Sequence, residues 1–186
     1  LMRRSAFVAV IGALGLVLLL GGALREVGAQ PANDELAARW IHAQLNDWRL
    51  GLHLGPLASN DTLDRMAYDQ AAFLAGMRSI PPVAFIHNGR QGEGPRDRAM
   101  WPEYSWPDFG IAGQRQGAIN FWHQSRVHLE TATNPWYREV GVAAVPYRNN
   151  GVAGYIFVAV LGARPNVLPA LADPRAGVLH LTNETF

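Results

Sequence analysis

Cysteine is absent from the 186-residue chain, and so is lysine; all 16 basic residues other than histidine are arginine. Without thiols there can be no disulfide, no zinc–thiolate site and no cysteine nucleophile, although this does not place the chain in a reducing compartment. Charge is sparse, at 17% of residues, and 16 Arg against 15 acids leave a formal net charge of +1. A nearly neutral chain lacks the basic face that nucleic acid demands, which argues against that class of partner. There is no internal repeat. What is abundant is apolar: 49% of residues are hydrophobic, ample for a buried core at a length that suits one ordinary domain.

The apolar residues are unevenly spread. Arg3 and Arg4 precede an uninterrupted apolar run over residues 6–24, and Val27-Gly28-Ala29 follows with small residues at the positions a signal peptidase reads. The order basic, apolar, small is that of a secretory signal. The run is also close to the ~20 residues a membrane-crossing helix needs. Residues 1–29 are therefore expected to be a signal peptide or an N-terminal membrane anchor. Either reading puts the remainder outside the cytoplasm, secreted or held at the outer face of the cytoplasmic membrane. A membrane is met only through that segment, if it is not cleaved.

Beyond it the chain reads helix-rich first and strand-rich last. Asn33 or Asp34 can cap a helix whose stripe is Leu36, Trp40, Ile41, Leu45, Trp48 and Leu52, ended by Gly51 and Gly55-Pro56. A turn over residues 58–62 leads to a second stripe, Leu63, Met66, Ala67, Gln70, Ala71, Leu74 and Met77, stopped by Pro81-Pro82. Residues 85–113 show no firm period, apart from a short helix around residues 96–101; so long an irregular stretch is expected to form a functional surface. A third helix is expected over residues 117–129, with Ile119, Trp122, Ser125, Val127, His128 and Leu129 inward. Residues 139–147 and 155–162 read as strands joined by an Asn149-Asn150-Gly151 turn. Residues 163–186 form an extended tail with one further short strand over residues 178–182.

Four segments in order resemble the bacterial CAP superfamily, the fold shared by cysteine-rich secretory proteins, antigen 5 and plant pathogenesis-related proteins of type 1. They are His42-Ala-Gln-Leu-Asn-Asp-Trp-Arg49 with Gly51-Leu52 and Pro56-Leu57; Leu63, Ala67, Gln70-Ala71 and Leu74; His87-Asn88-Gly89 with Arg98; and Trp122-His-Gln-Ser125-Arg-Val-His128 followed by Asn134-Pro135-Trp-Tyr-Arg-Glu139-Val-Gly141-Val. The resemblance implies an α+β fold over residues 33–162, a three-layer α-β-α sandwich with a small, mainly antiparallel sheet and a cleft on one side. It also implies that His87 and His128 form the cleft's histidine pair. Of the acids that join them in many members, the G-E-N-I/L-A glutamate is missing from Trp106-Pro-Asp-Phe-Gly-Ile-Ala-Gly113, where Asp108 is the nearest acid. The second acid aligns near Ser125.

Two neutral imidazoles facing one cleft are candidate ligands for a weakly bound divalent metal such as zinc. With no third ligand spelled out, the site would be open and loose. The alternative is that both rings hydrogen-bond locally within a packed cleft. Ser125 and His128 share a helix face at a spacing that does not easily present Oγ to Nε2, so the pair argues against a nucleophile. Phe85, Trp101, Tyr104, Trp106 and Phe109 crowd the irregular segment and are expected to divide between cleft and core, with Tyr104 and Trp106 taken as cleft residues. Three functions follow as expectations. The first is a non-enzymatic binding module whose cleft takes a small apolar ligand, a cell-wall component or an extracellular protein. The second is a metal-dependent hydrolase acting on peptide or wall polymer. The third is a structural or adhesion domain of a surface protein.

Overall fold

The computed structural model describes residues 31–77, 87–115, 117–149 and 152–164. The expected signal or anchor segment, the Pro81-Pro82 stop, Phe85, the Asn150-Gly151 turn and the strand over residues 178–182 lie outside the described residues. Among the described residues no helix is long and apolar enough to cross a membrane.

Helix α1 (Glu35–Gly51) begins where Asp34 accepts hydrogen bonds from the Leu36 and Ala37 amides (3.1 and 3.0 Å). This satisfies donors that have no intrahelical partner. Its buried stripe is Ala38, Ile41, Leu45 and Arg49, whereas Leu36 and Trp40 are 77% and 54% exposed. The expected stripe is thus rotated. Two neighbouring rows share the same 3–4 spacing, and the helix buries the row whose small Ala38 permits close approach to the sheet and whose Arg49 has partners beneath. Strand β1 (Ala58–Ser59) occupies part of the expected turn. Helix α2 (Asp61–Ala75) is capped by Asn60 and buries Leu63, Met66, Ala67, Gln70, Ala71 and Leu74, as its stripe predicts.

Helix α3 (Pro95–Ala99) lies within the stretch read as irregular, which also contains a strand that the sequence concealed, β2 (Phe109–Arg115). Gly110 and Gly113 erase the alternation that marks a strand. The single helix expected over residues 117–129 is two: α4 (Ala118–Gln124) and α5 (Arg126–Ala132), broken at Ser125, whose backbone is extended (φ −90°, ψ 113°). Strands β3 (Glu139–Asn149) and β4 (Val152–Gly162) pair antiparallel from Glu139↔Gly162 to Asn149↔Val152.

The sheet order is β1-β3-β4-β2; β1 runs parallel to β3 and the other pairs are antiparallel. Alternation along β3 and β4 divides two apolar faces. Ala143, Val145, Ile156, Val158 and Val160 pack with Leu63, Met66, Ala67, Ala71 and Leu74 of α2. On the other side Val140, Val142, Ala144, Phe157, Ala159 and Leu161 pack with Ile41 and Leu45 of α1 and Trp122 of α4. This is the three-layer α-β-α sandwich, with a small sheet that is mixed through β1. At Gly141 the α2 backbone at Leu63 and Asp64 sits where a side chain would stand, so only glycine allows the helix to lie so low on the sheet.

Two arginines fasten the periphery. Arg49, 2% exposed, donates from Nε to the Gly55 carbonyl (2.8 Å), from Nη1 to those of Ala132 and Asn134 (3.0 and 2.9 Å) and from Nη2 to that of Tyr137 (2.9 Å). Burial pulls its pKa down to about 10, which leaves it charged at neutral pH. Arg164, where the chain leaves β4, makes a two-pronged bond to buried Glu139 (2.7 and 2.5 Å) and lies 4.8 Å over the Trp106 ring.

Gly141→Ala is expected to lower unfolding free energy by about 3 kcal/mol through overpacking. The shift of a urea midpoint measures it. Arg49→Met removes the side-chain hydrogen bonds to four carbonyls and is expected to cost about 3 kcal/mol or more, with Arg49→Lys restoring only part because its ammonium lacks the planar fork.

Candidate functional site

The two histidines reach one place from different layers. His87 opens a loop tied to α2 through the neighbouring residue: Gln70 Nε2 donates to the Asn88 carbonyl (3.1 Å). Gln70 is itself fixed by a hydrogen bond from buried Arg98, whose Nε lies 3.8 Å from Glu93. The His87 ring rests over Gly113 of β2, with Nε2 3.9 Å from the point where a Cβ would stand. A Cβ at this position would meet the ring at ordinary contact distance, so the imidazole packs directly on this part of β2.

His128 comes from α5. The break at Ser125 makes that residue the N-cap and His128 the third residue of the new helix. From this position Ser125 Oγ lies 2.8 Å from His128 Nδ1. An uninterrupted helix would direct the hydroxyl elsewhere; the local kink creates the contact. Phe121 of α4 meets the His128 ring edge-on at 5.1 Å. The rings of His87 and His128 stand with centroids 6.1 Å apart, tilted by 37°.

Burial lowers the pKa of both histidines below the usual imidazole value of 6.5, and for His87 the neighbouring His128 lowers it further. Both rings are therefore neutral at physiological pH. His87 Nε2 is buried and has no hydrogen-bond partner among the described residues. A polar atom withdrawn from water in this way is the feature a ligand or ordered water answers. With Nδ1 of His128 occupied by Ser125, its Nε2 is the nitrogen left for a ligand.

The other candidate residues are placed elsewhere. Asp108 is exposed, accepts a hydrogen bond from the Phe109 amide next to it (2.9 Å), and stands five residues before Gly113, about 17 Å along an extended strand. Tyr104 and Trp106 belong to the apolar layer beneath α2. The Tyr104 hydroxyl donates to Asp69, and burial, with that bond next, pushes its pKa up to about 12. Trp106 is 3% exposed, pressed against Gly162 and roofed by Arg164. The residues brought together are thus His87, His128 and Ser125, with Phe121, Gln70 and Gly113 as members that sequence reasoning did not single out. Phe121 was detectable only as the residue one helical turn plus a kink from His128. Gln70 was visible as a lone polar residue in an apolar stripe.

Zinc normally takes three or four protein ligands. Among the described residues no group of three His, Cys, Asp or Glu side chains assembles. The described residues do not fit a zinc centre. A general-base scheme lacks an orienting acid, because no carboxylate hydrogen-bonds either ring among the described residues, and Ser125 engages Nδ1 rather than Nε2.

The family model of the cysteine-rich secretory protein family (CAP) matches residues 42–161 of the chain. The chain belongs to this family. Two solved structures share the CAP fold. An outer surface protein from Borrelia burgdorferi is 21% identical at a TM-score of 0.59, covering 72% of this chain and 98% of that one. An extracellular protein containing an SCP domain from Bacillus anthracis is 16% identical at a TM-score of 0.55; the match covers 68% of this chain and 40% of that longer one. No curated protein sequence matches the chain.

The lowered histidine pKa values carry a consequence for stability. The unfolded chain binds more protons than the folded CAP domain below pH 6.5, so stability is complete above that value and falls as the pH drops below it. Chemical unfolding measured across this window should show the decline, and His87→Gln, which removes one of the two titrating rings, should make it shallower.

Proposed function

We propose that this CAP domain is an extracytoplasmic, non-enzymatic binding module whose cleft between His87 and His128 takes a small apolar ligand carrying one hydrogen-bonding group. The observation that carries the reading is the buried, unpartnered Nε2 of His87 on a ring whose centroid lies 6.1 Å from that of a second neutral imidazole, with no carboxylate hydrogen-bonded to either ring among the described residues. Neutral rings accept or donate one hydrogen bond without demanding a charged partner. Phe121, 40% exposed and edge-on to His128, adds an apolar wall. A cell-wall component or an extracellular protein side chain offering the same chemistry is the natural extension. The extracytoplasmic location is supported by the basic–apolar–small order of residues 1–29 and by the surface and extracellular proteins that share the fold.

The test is a thermal-shift panel of fatty acids, sterols, glycans and Zn²⁺ on the full chain. An apolar ligand at ~100 times its Kd should stabilise the fold by about 2.7 kcal/mol, and His87→Phe should abolish the shift without unfolding the domain. Calorimetric titration with Zn²⁺ is expected to show no tight binding. Tight zinc binding lost in His87→Ala, or a panel without a single response, would refute the proposal.

A further inference from the structure

The loop that carries His87 closes on itself before it enters α3. The Gly89 amide donates to the Glu93 carbonyl (2.9 Å), and the Gly92 amide to the Gly89 carbonyl (3.2 Å). The Gln91 amide donates to Glu93 Oε2 (2.7 Å). A Cβ at Gly89 would strike the Glu93 carboxylate and lie 3.0 Å from Arg98 Cδ, so glycine lets the turn close onto both side chains. We propose that Arg98 is the positioning residue of the cleft, acting through Gln70 and Glu93 to hold the loop that presents His87.

Arg98 is buried, although it stands on a helix of only five residues. So short a helix has no stability of its own, and a guanidinium taken out of water is costly unless polar groups meet it. Here they come from two elements. Nη1 donates to Oε1 of Gln70 on α2, and Nε faces Glu93 Oε1 at 3.8 Å. Each of these partners has its other end on the His87 loop. Gln70 donates from Nε2 to the carbonyl of Asn88, the residue next to His87 (3.1 Å), and Glu93 holds the Gln91 amide. The guanidinium also lies over the Trp101 ring, 5.9 Å from its centroid; Trp101 stacks on Tyr104, whose hydroxyl donates to Asp69 of α2.

The two ties differ in kind. Nε of Arg98 is buried without a hydrogen-bond partner among the described residues, so its attraction to Glu93 is electrostatic and tolerates small movements of the turn. The Gln70 amide is directional. It accepts from Arg98 at one end and donates to Asn88 at the other, which a carboxylate could not do and an apolar side chain could do at neither end. This accounts for a buried glutamine in the otherwise apolar stripe of α2. The role rests on reading the cleft as the functional site, yet it is measured without a cleft ligand. A silent ligand panel would leave it standing, and its own failure would leave the cleft reading standing.

The experiment is carbethoxylation of the full chain with diethyl pyrocarbonate, followed by peptide mass spectrometry at each histidine. Exposed His123 is the reference for reagent, and His42 of α1, bonded to the Leu57 carbonyl (2.8 Å), reports general loosening. Arg98→Met should raise the rate at His87 about tenfold relative to His123, as expected for loss of a hydrogen bond from a charged donor, and leave His42 unchanged. Arg98→Lys should restore part of the protection. Gln70→Glu keeps the acceptor for Arg98 but loses the donor to Asn88, and should release His87 even though the pairing with Arg98 is strengthened. Should Arg98→Met fail to fold, Gln70→Glu carries the test, with Glu93→Gln expected to give a smaller rise. A wild-type rate at His87 in the folded variants, or His87 and His42 rising together, would overturn the proposal.

Discussion

One guanidinium holds the far ends of this sandwich together. Arg49 projects from the last turn of α1 and collects carbonyls from the turn that follows the helix, from the C-terminal end of α5 and from the approach to β3. Helix ends leave carbonyls without intrahelical partners, and a planar fork with five N–H donors is the side chain best shaped to gather several of them at once. The placement of α5, and hence of His128, depends on it. So does the route of the chain into β3, whose first residues, Glu139 and Val140, pair with β1 and whose Glu139 holds Arg164. The lost hydration of the buried charge is offset by four hydrogen bonds to neutral dipoles, with no counter-ion among the described residues.

The same economy appears at both sheet edges. A free strand edge invites pairing with other chains, and natural sheets cover it. Here the β3 edge is covered piecemeal: two residues of β1, then the carboxylate of Asp64, then the side chain of Asn33 and the backbone of Asp34. Covering the β3 edge in this way leaves a small cavity beside Asp64. At β2 the His87 ring packs against Gly113.

Much of this was legible in the sequence, and the failures have physical reasons. The α2 stripe, the β3–β4 hairpin and the His87/His128 pairing were visible because period, turn chemistry and a family-like order of motifs agreed. The α1 stripe was misplaced by one row because hydrophobicity scores cannot value Arg49, whose burial depends on carbonyls 83 to 88 residues away. Strand β2 was hidden because Gly110 and Gly113 carry no side chain to alternate, although Gly110 gives way to Tyr137. The break at Ser125 was invisible because Ser-x-x-His reads equally as mid-helix or as a new helix start. Tyr104 and Trp106 drew attention as aromatics in an irregular segment, yet long-range packing under α2 settles them in the interior.

The fastening of Arg164 to Glu139 and over Trp106 also bears on mechanics. Tension drawn through the C-terminal tail reaches the domain at the end of β4, an 11-residue strand hydrogen-bonded on both flanks. The ion pair and the stacked indole hold the chain at that point of exit, so a load applied there meets them before it reaches the β4 ladder.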